Sequence, residues 1–120
     1  MKIRIRGNSI RYRLDKQDIA TLQETQQVEE ITTIGAGTLQ FSIHAKGEAP
    51  AIALNANGVQ LFLPVTQVSG WITTEQVGFK HELPNADGSV LHLLIEKDFK
   101  CLTEREEDES QAFENPAQSC

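Results

Sequence analysis

An α+β fold, mainly antiparallel and built from a duplicated ββαββ unit, is predicted by three observations. First, residues 8–28 lie over 57–77 without a gap, at an offset of 49 (57 − 8). Asn8, Leu14, Thr25, Gln27 and Val28 recur as Asn57, Leu63, Thr74, Gln76 and Val77, and the apolar positions Ile10, Tyr12, Ile19 and Leu22 recur as Val59, Leu61, Val68 and Trp71. A repeat constrains architecture before any local reading does. Second, several segments alternate apolar and polar residues strictly, the period of a half-buried strand. Third, turn residues and helix-start residues punctuate those segments at matching places in both copies.

In chain order, 2–6 and 9–14 alternate as strands around Gly7-Asn8, two residues that tolerate positive φ in a hairpin turn. Ile3, Ile5, Ile10, Tyr12 and Leu14 then face the core, which leaves the cations on the other side. Asp15 is an N-cap with Asp18 three residues on, a relative of the capping box. Ile19 and Leu22 give a short amphipathic helix over 16–24. Strands follow at 27–34 and 38–46 around the turn Gly35-Ala36-Gly37, and residues 47–50 link the copies. The second copy has strands at 51–55 and 58–63, then Pro64 at the first position of a helix, where its missing N–H is harmless. Strands at 76–83 and 89–96 complete it. The repeat thus spans 2–46 and 51–97. Neither half is large enough to bury its apolar face alone, so the two are expected to form one barrel or strongly curved sheet, a single domain over 1–120. Residues 98–120 form an acidic tail, which Phe99, Leu102 and Phe113 would pin to the body.

Composition is that of a globular protein, 39% hydrophobic and 23% charged. The start alternates cation and apolar residue instead of running apolar, so no leader is expected, nor any membrane span. Two late cysteines without framework spacing point to a reducing, cytoplasmic home. The net charge of −6 conceals a polarity. Lys2, Arg4, Arg6, Arg11, Arg13 and Lys16 against Asp15 make residues 1–16 +5, whereas seven acids against Lys100 and Arg105 make 98–120 −5. Such asymmetry suggests an anionic partner or an interacting tail.

The run Arg6-Gly7-Asn8-Ser9-Ile10, with Arg13 and then a helix, resembles the DNA-binding half of the swapped-hairpin transition-state regulators and antitoxins. The resemblance covers roughly 2–30 and more weakly 51–79. It implies that cations along the strands track phosphates while Asn8 reads a base edge. Asp15 stands where that family has Pro, and the second copy has Ala51, Ala53, Gln60 and Phe62 where the first has Lys2, Arg4, Arg11 and Arg13. One chain therefore offers one basic face, and DNA binding implies a homodimer. Over nearly its whole length the chain is also similar to a small bacterial family built on a domain of unknown function. That likeness rests on the opening Met-Lys-Ile-Arg-Ile-Arg-Gly-Asn-Ser-Ile-Arg, on residues 96–102, and on Arg105, Glu107-Asp108 and Asn115-Pro116. It implies no activity.

The candidate anion site is Arg4, Arg6, Asn8, Arg11 and Arg13. The plainer reading of these cations is a solvated or edge-blunting surface, and a third is that the acidic tail covers them. Cys101, Arg105, Glu107 and Asp108 are candidate tail contacts. A thiol beside a guanidinium has nucleophilic potential, but packing of Cys101 and stapling by Arg105 with Glu107 or Asp108 explain the same residues. His44, His81 and His92 fall on separate strands without ligand spacing, so no metal site and no cofactor are expected. The reading adopted is a non-catalytic binding or interaction module that uses the basic hairpin. The alternatives are a dimeric DNA-binding regulator and an enzyme with a cationic barrel interior, its metal held by Glu29, Glu82 or Glu96.

Overall fold

Strands and helices arise where alternation and capping place them. In the computed structural model, which describes residues 1–100 and Phe113, the order is β1 (Lys2–Arg6), β2 (Ser9–Leu14), α1 (Lys16–Thr25), β3 (Gln27–Ile34), β4 (Gly37–Ala45), β5 (Ala51–Asn55), β6 (Gly58–Leu63), α2 (Val65–Ile72), β7 (Gly78–Pro84) and β8 (Val90–Lys97). Asp15 caps α1 with a complete capping box: its carboxylate accepts from the Asp18 N–H, and the Asp18 carboxylate accepts from the Asp15 N–H. Pro64 is the N-cap of α2 rather than its first helical residue, with extended ψ of 135° and no side-chain cap. Strand β7 starts two residues later than expected, and the Val77 carbonyl just before it accepts from both the Lys97 N–H at 2.9 Å and the Trp71 indole N–H at 3.1 Å.

The expected barrel is not formed. The strands make two four-stranded mixed sheets, ordered β1-β2-β8-β7 and β3-β4-β6-β5. Four hairpin pairings are antiparallel, but the two pairings that join early and late strands, β2 with β8 and β4 with β6, are parallel. Each sheet ends on strands whose outer edges pair with nothing in the other sheet, so neither closes. Read from its β5 edge, the second sheet runs β5-β6-β4-β3. Each sheet therefore seats one hairpin from residues 1–45 beside one from residues 51–97.

Both helices and the inner faces of both sheets share one core. Trp71, Tyr12, Leu14, Leu22, Ile43, Leu61, Leu63 and Ile95 are its largest fully buried side chains. Trp71 meets Phe79 edge-on at a centroid distance of 5.3 Å, a favoured aromatic geometry. Two glycines permit the parallel seams and their neighbours to approach closely. A Cβ on Gly58 would lie 1.8 Å from the Gln40 carbonyl oxygen, and one on Gly78 would lie 2.3 Å from the Ile95 carbonyl oxygen. Among the described residues no helix is long and apolar enough to cross a membrane.

A basic groove on the outer face of the first sheet

Alternation sends Ile3, Ile10, Tyr12 and Leu14 inward and therefore sends the cations of β1 and β2 outward. Register then arranges them in rows. Lys2, Arg13, Glu96 and Gly78 lie across one row, Arg4, Arg11, Leu94 and Lys80 across the next, and Arg6, Ser9, His92 and Glu82 across the third. The second and third rows line an open groove of about 740 Å³.

The first row holds its own counter-ion. Glu96 Oε1 accepts from Arg11 Nε at 2.7 Å and from Arg13 Nε at 3.0 Å, and the Arg11 terminal nitrogen also contacts it. All three side chains are largely covered, with 15%, 24% and 15% exposure for Arg11, Arg13 and Glu96. Charge-assisted bonds of this kind fix guanidinium orientation. At the far corner His92 Nδ1 lies 3.3 Å from Glu82, with both side chains exposed. Arg4, Arg6 and Lys80 are exposed around the groove. Among the described residues, this face and its edge thus carry six cations against Glu82, Glu96 and Asp98, the last paired with Lys2 at 2.9 Å.

The second sheet offers nothing of the sort. Its outer rows read Gln27, His44, Phe62, Ala51 and then Glu29, Ser42, Gln60, Ala53. His44 stacks on Phe62 at 5.0 Å and bonds the buried Ser42 hydroxyl at 3.0 Å. This pair occupies the register position that Glu96 and Arg13 hold in the first sheet.

Of the residues expected to form the site, Arg4, Arg6, Arg11 and Arg13 share one face. Asn8 lies on the turn beside it, where its Nδ2 donates to Ser89 Oγ at 3.4 Å and its carbonyl accepts from the His92 N–H. The arginines face outward on an open sheet, so the cationic barrel interior of the enzyme alternative does not exist here. Its carboxylates are dispersed: Glu96 holds arginines, Glu82 meets His92, and Glu29 lies on the other sheet, accepting from Gln40 at 2.5 Å. The histidines are also apart, and among the described residues no group of His, Cys, Asp and Glu is placed to hold a metal. Cys101, Arg105, Glu107 and Asp108 lie outside the described residues. Phe99 and Phe113, expected to pin the tail, are 57% and 99% exposed, and Leu102 is outside the described residues.

Sequence reasoning missed Lys80, His92 and Leu94, which complete the groove. Lys80 and His92 do sit at polar positions of alternating segments. What was lacking was the partner of β2, since nothing local announces a parallel pairing with a strand more than 80 residues away.

No curated protein and no solved structure matches the chain. A family model, described as a family of unknown function (DUF7009), matches residues 1–117. With nearly every residue covered, including all those that build the groove, the chain belongs to that family.

Proposed function

We propose that the protein is a non-catalytic binding module that takes a small phosphate-bearing ligand in the groove between β1-β2 and β7-β8. The observation that carries this reading is the convergence of Arg4, Arg6, Arg11 and Lys80 on a concavity of about 740 Å³, the size of a small-molecule site. Guanidinium forks match phosphate oxygens two at a time. Leu94 gives the floor an apolar spot, and the Arg11–Glu96 bond holds one cation oriented before ligand arrives. A concave site on one face favours a small ligand over duplex DNA, which a swapped-hairpin regulator reads with two equivalent faces.

We infer too that the chain is a duplicated ββαββ unit. Exchanging β1–β4 for β5–β8 carries each strand order into the other, and the buried pair Tyr12 and Ile95 has its counterpart in Leu61 and Ile43. The cations belong to one copy only, so one groove per chain is expected.

Titration calorimetry with inorganic tripolyphosphate tests the binding reading. A Kd that weakens by roughly three- to tenfold in Arg6→Ala, and again with added salt, is expected. No heat from tripolyphosphate beside salt-dependent binding of a 20-base-pair duplex would replace this reading with the regulator.

A further inference from the structure

We propose that the protein forms a twofold homodimer in which the free edge of β3 pairs antiparallel with β3 of a second copy, Ile31 lying on the dyad. The ladder fixes which groups that edge offers. The Gln26 carbonyl accepts from the Ala45 N–H at 2.9 Å, so these two form a hydrogen-bonded pair, and such pairs alternate along antiparallel strands. Val28, Glu30, Thr32 and Ile34 therefore turn their backbone N–H and C=O groups toward β4, whereas Glu29, Ile31 and Thr33 turn theirs outward. Among the described residues nothing bonds those outward groups, and an open row of this kind is a template for another strand. The other edges are blunted: β1 carries Lys2, Arg4 and Arg6, β7 carries Lys80 and ends on Pro84, and β5 has only five residues. By contrast β3 has eight residues, no Pro and no charge after Glu30. Its Ile31 and Ile34 are 51% and 61% exposed.

A second copy is the occupant because the strand complements itself. Laid antiparallel with Ile31 opposite Ile31, the run Val-Glu-Glu-Ile-Thr-Thr-Ile sets Val28 against Ile34, Glu29 against Thr33 and Glu30 against Thr32. Apolar meets apolar at the centre and at both ends, and each acid meets a hydroxyl able to donate to it. Glu29 uses Oε2 for Gln40 and Glu30 uses Oε1 for the Met1 amine, so the other oxygen of each serves the threonine. The backbone selects the same register. Outward residues meet only outward residues, and all three of each copy are used, two bonds to a pair. Sliding by two residues one way sets Glu30 against Glu30; sliding the other way carries Glu29 past the strand end to Gly35. The dyad also closes the edge, as an isologous contact does, and joins two four-stranded sheets into one.

The full-length protein tests this. Sedimentation velocity from about 1 to about 300 µM should show one chain giving way to two, with a Kd in the micromolar range. Over the same series, amide hydrogen exchange should slow at Glu29, Ile31 and Thr33, while Glu30 and Thr32, bonded to β4, stay protected throughout. Thr33→Glu sets a like charge against Glu29 of the second copy, twice across the dyad, and should raise the Kd roughly five- to twentyfold. Adding Glu29→Lys to the same chain turns both contacts into opposite-charge pairs and should return the Kd to within about twofold of wild type. A single chain at every concentration, or association that neither variant alters, overturns the proposal. So does growth beyond two copies, the signature of β3 joining β5 of the next copy in an open array.

Discussion

At the scale of single residues, the core buries a tyrosine hydroxyl. Tyr12 is fully buried, its hydroxyl has no hydrogen-bond partner among the described residues, and burial pushes its phenol pKa well above the ordinary value. A buried unpaired hydroxyl costs free energy that its removal recovers. Tyr12→Phe is therefore expected to be neutral or to stabilise the fold by up to about 1 kcal/mol in urea unfolding; a loss of 2 kcal/mol would reveal a partner. His81 provides a pH signature. Burial lowers its pKa below 6.5, and its Nε2–H donates to Gln67 at 2.6 Å. The folded state thus disfavours the protonated ring, so its contribution is complete above 6.5 and is lost as pH falls toward the folded value. Thermal melts between pH 7.5 and 5 should show this decline, and His81→Gln should flatten it. Most of this was hidden in the sequence. Tyr12 was legible as a core residue but its lack of a partner was not, because a hydroxyl's neighbours come from strands and helices far along the chain.

Elements were the most legible scale. Asp15 and Asp18 announced the start of α1, and the hydrogen bond from the Asp18 N–H holds the Asp15 carboxyl below the usual range. Asp15→Ala should cost about 1 kcal/mol, and wild type should lose that increment as acid protonates the cap. The alternation of Ile3 to Leu14 fixed which side of β1 and β2 is basic, so the four arginines of the candidate site were found from period alone. Close approach was not legible. Gly58 reads as a turn residue, yet its φ of 154° and the Gln40 carbonyl beside it make it a structural requirement of the β4–β6 seam. Gly58→Ala should destabilise by about 2–3 kcal/mol, far more than the same change at Gly70, where added bulk meets open space.

Over the whole molecule, the expectation of a barrel failed for a reason of topology. Periodicity specifies faces, not partners, and the two parallel seams pair strands whose separation in sequence no local signal encodes. The same seams explain why the groove was half seen: its cations were read from one hairpin, whereas Lys80 and His92 arrive on another. They also bear on cooperativity. Because each sheet contains strands from both ends of the chain, neither half can melt while its partner sheet survives. Trp71 fluorescence and far-ultraviolet circular dichroism should report one coincident urea transition; a two-step curve would show that the sheets are separable.

The parallel seam between β2 and β8 has a bearing on how the chain is made. The basic hairpin leaves the ribosome well before the strand that flanks it, residues 90–97. Until that strand emerges its cations therefore travel without Glu96 and without their groove, beside whatever polyanion is at hand. Long-range pairing of this kind is slow to form, and here it cannot begin until β8 has emerged. The earliest part of the site to be made is the last to be seated.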